Sequence, residues 1–129
     1  MNAKKKGNHG EHEFAHWLMD NGIKAFRNSM SGGSVWKGDI ANNLDMTIEI
    51  KTVKKVNLME VWRQVNRDAS IAHNTPVLAI HFDNMPKKEW LVTIHSEDWL
   101  FMVKEAIELK AKLKQYESES KRKEIAGVS

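Results

Sequence analysis

Along this chain the apolar residues recur first at helical spacing and then in alternation. Phe14, Ala15 and Leu18 fall three and four apart, and Asn21-Gly22 supplies the stop signal that glycine gives a helix C-terminus, so a first helix is expected over about Gly10 to Asn21. The polar residues 1 to 8 before it are expected to be loose. Ile23 to Asn28 fits a short strand, and "SMSGGSVWKG" is too rich in serine and glycine for regular structure. A second strand opens at Asp39 to Ala41, "NNLD" turns, and Met46 to Val53 alternates in the manner of a strand.

Asn57 with Glu60 three residues later reads as a helix N-cap, and that helix runs to about Ala72. "VLAIHF" is apolar enough for a central strand, and "WLVTI" follows the polar turn "DNMPKKE". Ser96 caps a last helix whose first turn holds Glu97 and Asp98, where the helix dipole favours carboxylates. In it Trp99, Met102, Ala106, Leu109, Leu113 and Tyr116 make one apolar stripe, for packing against the sheet or for contact with a second copy, the former being the simpler reading. From about Glu117 the chain is polar and a frayed tail is expected. Alternating helices and strands imply an α/β domain over residues 1–116, a central mixed β-sheet flanked by helices, with 117–129 as a polar tail.

Composition narrows the chemistry. The 129 residues are 41% hydrophobic and 29% charged, as in a soluble globular domain, and no apolar run approaches a membrane span, so a cytoplasmic protein without a membrane partner is expected. With no cysteine, disulfides, thiol catalysis and cysteine-held zinc are excluded, and any metal must be bound by oxygen or imidazole. The net charge of +3 is small, but Lys4–Lys6, Lys51, Lys54, Lys55, Arg63 and Arg67 gather the basic residues in patches that suit a polyanion.

"HEFAH", residues 12 to 16, matches the HExxH pattern of zinc proteases. That site needs a third protein ligand, and His73, His81 and His95 fall in predicted strands or a loop. On a helix His12 and His16 share a face apart from Phe14 and Leu18, so they read as surface residues. Glu11 is the carboxylate on the apolar side, where burial is costly unless something pairs with it.

"GDIANNLDMTIEIK" carries a stronger constellation. Along a strand Glu49 and Lys51 share one face while Ile48 and Ile50 share the other, and a hairpin about "NNLD" would bring Asp39 beside Glu49. Two carboxylates, the Ile50 carbonyl and a lysine would then converge. Such hard oxygen donors suit Mg²⁺, and Lys51 could stabilise charge on a phosphate, the equipment for phosphodiester hydrolysis. The competing reading makes Glu49 and Lys51 the solvated face of an edge strand.

The run "GDI", eight residues, then "EIK" resembles the PD-(D/E)xK nuclease signature, with Gly38 in place of the usual proline. More specifically, Lys6-Gly7, Glu11, Arg27, the serine-glycine loop and the acidic-lysine core, from about Lys5 to Phe82, resemble the archaeal-type Holliday junction resolvases and related small phage nucleases. The resemblance implies a restriction-endonuclease-like fold and a Mg²⁺-dependent DNA endonuclease, with Mn²⁺ as substitute. It implies metal ligation by Asp39, Glu49 and the Ile50 carbonyl, Glu11 completing the metal or water network, and Lys51 as the catalytic lysine. Arg27 becomes a phosphate contact, Ser31 or Ser34 the loop serine, and Lys54, Lys55, Arg63, Gln64 and Arg67 the DNA-binding residues. His12 departs from the arginine common after the helix-one glutamate, Gln64 could equally be an exposed helix position, and Trp36 could stack on a base or cover the core. A homodimer cutting a four-way junction is implied, against a nuclease for duplex or single-stranded DNA and a binding module without turnover.

Overall fold

The computed structural model describes residues 3–28 and 38–127, so Ser31, Ser34 and Trp36 lie outside the described residues. In chain order the elements are α1 (Ala3–Asp20), β1 (Ala25–Arg27), β2 (Ile40–Asn42), β3 (Met46–Val53), α2 (Leu58–Ala72), β4 (Thr75–Phe82), β5 (Leu91–Ile94) and α3 (Ser96–Ile125). They fall into two compact units, Met1–His95, which carries the sheet, and Ser96–Ser129, which carries α3.

The five strands lie side by side in sequence order. Neighbours run antiparallel except β3 and β4, which pair in parallel from Met46↔Thr75 to Val53↔Phe82. A parallel pair cannot be closed by a tight hairpin, and α2 is the crossover that joins them. The mixed α/β sheet expected from the alternation of elements is therefore present. β4 has neighbours on both edges, and its run Val77, Leu78, Ala79 and Ile80 is buried throughout, as a strand covered on both faces requires.

Because successive side chains of β3 and β4 point to opposite faces, the sheet has two cores. Ile48, Ile50, Val77 and Ala79 pack with Phe14, Ala15 and Leu18 of α1, and Trp90 closes edge-on over Phe14 with ring centroids 5.0 Å apart. Leu78 and Ile80 pack with Val65 of α2. Each large side chain buried this way contributes about 1.5–3 kcal/mol. Glu49 and Lys51 stand on the α2 face, between elements rather than on a bare edge.

The N-terminal lysines, expected to be loose, belong to α1. Tertiary anchors explain the difference: the Lys6 carbonyl accepts from Thr52 Oγ1 (3.2 Å), Lys6 Nζ pairs with Asp83, and Asn8 accepts from Arg27 Nη2 at 2.8 Å. α2 begins as read, with Asn57 Oδ1 accepting from the Glu60 backbone at 3.2 Å, and it ends at His73 in the left-handed conformation.

α3, taken by itself, is a continuous helix of 30 residues, about 45 Å long at 1.5 Å per residue. It carries Glu97 and Asp98 in its first turn and Arg122 and Lys123 in its last, both favourable to the helix dipole. The residues from Glu117, expected to fray, remain helical to Ile125. No residue of α3 is buried.

Gly10 is a buried point at which α1 comes close to β3. A Cβ built there would collide with the Thr52 methyl group, so the close approach of helix and strand depends on the missing side chain. Helix propensity favours alanine over glycine by about 1 kcal/mol, whereas overpacking costs about 1–3 kcal/mol. Gly10→Ala is therefore expected to lower the unfolding free energy by about 1 kcal/mol. In a Thr52→Ser background, which keeps the hydroxyl and removes the methyl, the same change should become neutral or stabilising. Denaturant unfolding of the four proteins measures both effects.

Candidate active site

The site begins where β2 and β3 part. Their only register pair is Ile40↔Ile48, and just before it the Asp39 backbone N–H donates to the Ile48 carbonyl at 2.8 Å. Gly38 makes this approach possible: its φ is +96°, and a Cβ there would lie 3.1 Å from the Ile48 carbonyl oxygen. Proline, locked near −65°, cannot adopt that φ, which accounts physically for glycine at the position the nuclease signature usually gives to proline. On the other side Asn28 pins the same segment, its N–H donating to the Asp39 carbonyl at 2.8 Å and its side-chain amide to the Gly38 carbonyl at 3.0 Å.

Beyond Ile48 a side chain replaces the backbone ladder. The Ile50 N–H donates to Asp39 Oδ2 at 2.8 Å. The N–H and C=O of one strand residue point the same way, so the Ile50 carbonyl is also directed toward the side that Asp39 occupies. Glu49 is brought against Asp39 closely enough for the two carboxyl groups to share a hydrogen bond. Burial, above all, pushes the Glu49 carboxyl up to about 8, reinforced by the charge and hydrogen bond of Asp39 and by the charge of Asp68, with Lys51 opposing. The solvated-edge reading of Glu49 and Lys51 is not the environment found.

Glu11 reaches the same place from α1. Arg27 Nε donates to its Oε2 at 2.6 Å, while the Arg27 Nη2 group donates to Asn8. Burial raises the Glu11 pKa, the Arg27 hydrogen bond works against it, and the nearby Asp39 charge raises it further. The pairing partner that the apolar placement of Glu11 demanded is therefore Arg27. His12 and His16 are exposed, and Glu13 pairs with His9 at 2.8 Å, so the HExxH letters are spent on the helix surface.

Glu11, Asp39, Glu49, Ile50 and Lys51 line one cavity of about 810 Å³, together with Lys54, Lys55 and Gln64. Arg27 lies behind Glu11 and does not line it, and Arg63 and Arg67 are exposed on α2 outside its lining. Asp68, Lys6 and Thr52 also line it and were not foreseen as site residues. The signal for Asp68 was available: it follows Gln64 by four residues, one helical turn along the same face.

The donor set fits a hard divalent cation. Two carboxylates are drawn together, a backbone carbonyl is directed to the same side, and the surroundings hold no sulfur ligand. Among the described residues no three His, Cys, Asp or Glu side chains converge as a metal cage.

A carboxylate pair and a lysine where the chain enters β2 and along β3, with a helix-borne glutamate beside them, are the residues that the resemblance to PD-(D/E)xK nucleases implies for the site. Residues 2–128 match the family model described as "Phage putative PDDEXK endonuclease", and the chain belongs to that family of nucleases. Among solved structures it is similar to the Holliday junction resolvase Hjc of Archaeoglobus fulgidus, at 25% identity over 65% of this chain and 72% of that one, with a TM-score of 0.48. No curated protein sequence matches it.

The raised Glu49 pKa makes a signed prediction about stability. With EDTA present, the folded protein keeps a proton on Glu49 between 4.5 and about 8 that the unfolded chain has lost. The native state then binds more protons, and stability falls as pH rises through that window before levelling off. Glu49→Gln should flatten this fall and be more stable than wild type at pH 9. Denaturant unfolding at pH 5, 7 and 9 tests it; parallel pH profiles for the two proteins would show that the pairing does not cost stability.

Proposed function

We propose that the protein is a Mg²⁺-dependent DNA endonuclease, with Mn²⁺ as an effective substitute, whose preferred substrate is branched DNA and above all the four-way junction. The observation that supports hydrolysis is the meeting of Asp39, Glu49 and Lys51 in one cavity with a lysine-rich rim. The junction preference rests on the resemblance of Lys6-Gly7, Glu11, Arg27 and the serine-glycine loop to the archaeal-type resolvases. Asp39, Glu49 and the Ile50 carbonyl would hold the cation, Glu11 acting through water. When bound, it supplies Lewis-acid stabilisation of the phosphate and lowers the pKa of water.

The remaining work falls to the chain. Lys51, on the same strand face as Glu49, neutralises charge growing on the phosphoryl oxygens. Glu11, held by Arg27, orients the attacking water in line with the P–O3′ bond, which breaks to leave a 3′-hydroxyl and a 5′-phosphate. Lys54 and Lys55 grip the DNA backbone at the cavity rim, and Arg63 and Arg67 extend that contact along α2. Gln64 faces the substrate, and Ser31 or Ser34 supplies the loop hydroxyl. Arg27, bound through Nε and Nη2 to Glu11 and Asn8, acts on the site through Glu11 rather than as the phosphate contact the resemblance implied. A homodimer would set one site on each of two strands of a symmetric junction. Among the described residues no helix is long and apolar enough to cross a membrane, and we place the activity on DNA in the cytoplasm.

Junction, duplex and single-stranded DNA incubated with Mg²⁺ or with EDTA test this directly. Wild type should cut the junction best, and only with the metal. Asp39→Asn and Lys51→Ala should each lose at least about 10²–10³-fold in cleavage rate. Asp39→Asn should still bind the junction in a gel-shift assay. Undiminished cleavage by Asp39→Asn would remove the proposed site, and equal cutting of plain duplex would remove the junction preference while leaving the nuclease.

A further inference from the structure

The apolar stripe of α3 has a period that points to its partner. Trp99, Met102, Ala106, Leu109, Leu113 and Tyr116 advance in steps of three and four, a 3.5-residue repeat with these side chains at positions a and d of a heptad. A helix lying on a globular core usually shows a wider face that also takes in e or g. In the first turns Leu100, Val103 and Ile107 widen the apolar face, but from Leu109 on the flanks are charged, with Lys110 and Glu117 at e and Lys112 at g, after Glu105 at the preceding g, so the stripe narrows to a seam. The seam is open: Trp99 is 57% exposed, Leu109 65%, Leu113 56% and Tyr116 69%.

We infer that two copies of the chain pair through α3 as a parallel, in-register two-stranded coiled coil. Charge complementarity selects both the partner and the direction. In a parallel pair each g residue meets the e residue five positions on in the other copy. Glu105 then faces Lys110 of the second copy and Lys112 faces Glu117 of the second copy, and symmetry makes each contact twice. An antiparallel pair that stacks Trp99 on Tyr116 also sets Glu105 against Lys112, but it sets Asp98 against Glu119 as often, so attraction and repulsion cancel. The parallel pair has two attractive contacts for its one like-charge contact, Glu119 against Glu124. The next a and d positions are Ser120 and Lys123, so the seam closes at Tyr116 while the helix continues to Ile125. A seam this short makes a reversible, concentration-dependent dimer. It gives the homodimer of the proposed function a surface and rests on that reading only for paired cutting, because association itself requires neither DNA nor metal.

The full chain, without DNA, is examined by light scattering and sedimentation across the micromolar range. Wild type should form a dimer, and Glu105→Lys should weaken it by about tenfold by setting lysine against Lys110. Within one helix Glu105→Lys relieves repulsion with Glu108, so weakened association would not reflect a weakened helix. Adding Lys110→Glu should restore the dimer. Because the chain has no cysteine, direction can be read by cross-linking. Ser120→Cys, at an a position, should form a disulfide-linked dimer on oxidation, and Ser118→Cys, on the outer face, should not. A monomeric wild type, a dimer indifferent to Glu105→Lys, or equal cross-linking at 118 and 120 would overturn the inference. If wild type is monomeric and still cuts duplex or junction DNA, the nuclease reading stands and the seam alone is wrong.

Discussion

The meeting of Asp39 with Glu49 governs the rest of the first unit. Two carboxylates in a partly buried place oppose each other, and the protein keeps them together through backbone geometry rather than through attraction between them. Gly38 bends the chain toward β3, Asn28 holds that bend from behind, and the Asp39 side chain is fastened to the Ile50 amide. The unfavourable charge is answered by protonating Glu49 and by Lys51, and a cation would answer it more completely. Stability is thereby given up where the two carboxyl groups meet.

Much of this was legible in the letters. Alternation over Met46–Val53 defined β3 to the residue, and the "NNLD" turn was enough to bring Asp39 to Glu49. Glu11 could be singled out because a carboxylate on an apolar helix face needs a partner, although only the fold shows that Arg27 supplies it. What escaped depended on contacts between distant segments. The first turns of α1 are polar and looked loose, yet their stabilising partners, Thr52, Asp83 and Arg27, are far away in sequence. Asp68 was missed because the reading of α2 stopped at the glutamine and arginines, without following the Gln64 face one turn further.

α3 shows a different limit. Its stripe was plain, but a stripe records that a partner exists without saying which. Spacing and flanking charge bear on that choice: from Leu109 on, a 3.5-residue seam with opposite charges five positions apart is the pattern from which the pairing of two such helices is inferred. The polar residues beyond Tyr116 lack an apolar stripe of their own, yet they extend the helix, since glutamate, lysine and arginine are good helix formers in water.

The hydrogen bond from the Ile50 amide to Asp39 gives that side chain two duties. It offers negative charge to the cavity, and it also stands in for the strand partner that β2 no longer provides. Asparagine at position 39 retains an oxygen to receive the amide and removes only the charge. Alanine removes both and leaves an amide without its acceptor, at a cost of about 1–3 kcal/mol where water cannot reach it. Activity lost on truncation would therefore mix a chemical defect with a fraying of β3, and only the isosteric change reports on the carboxylate alone.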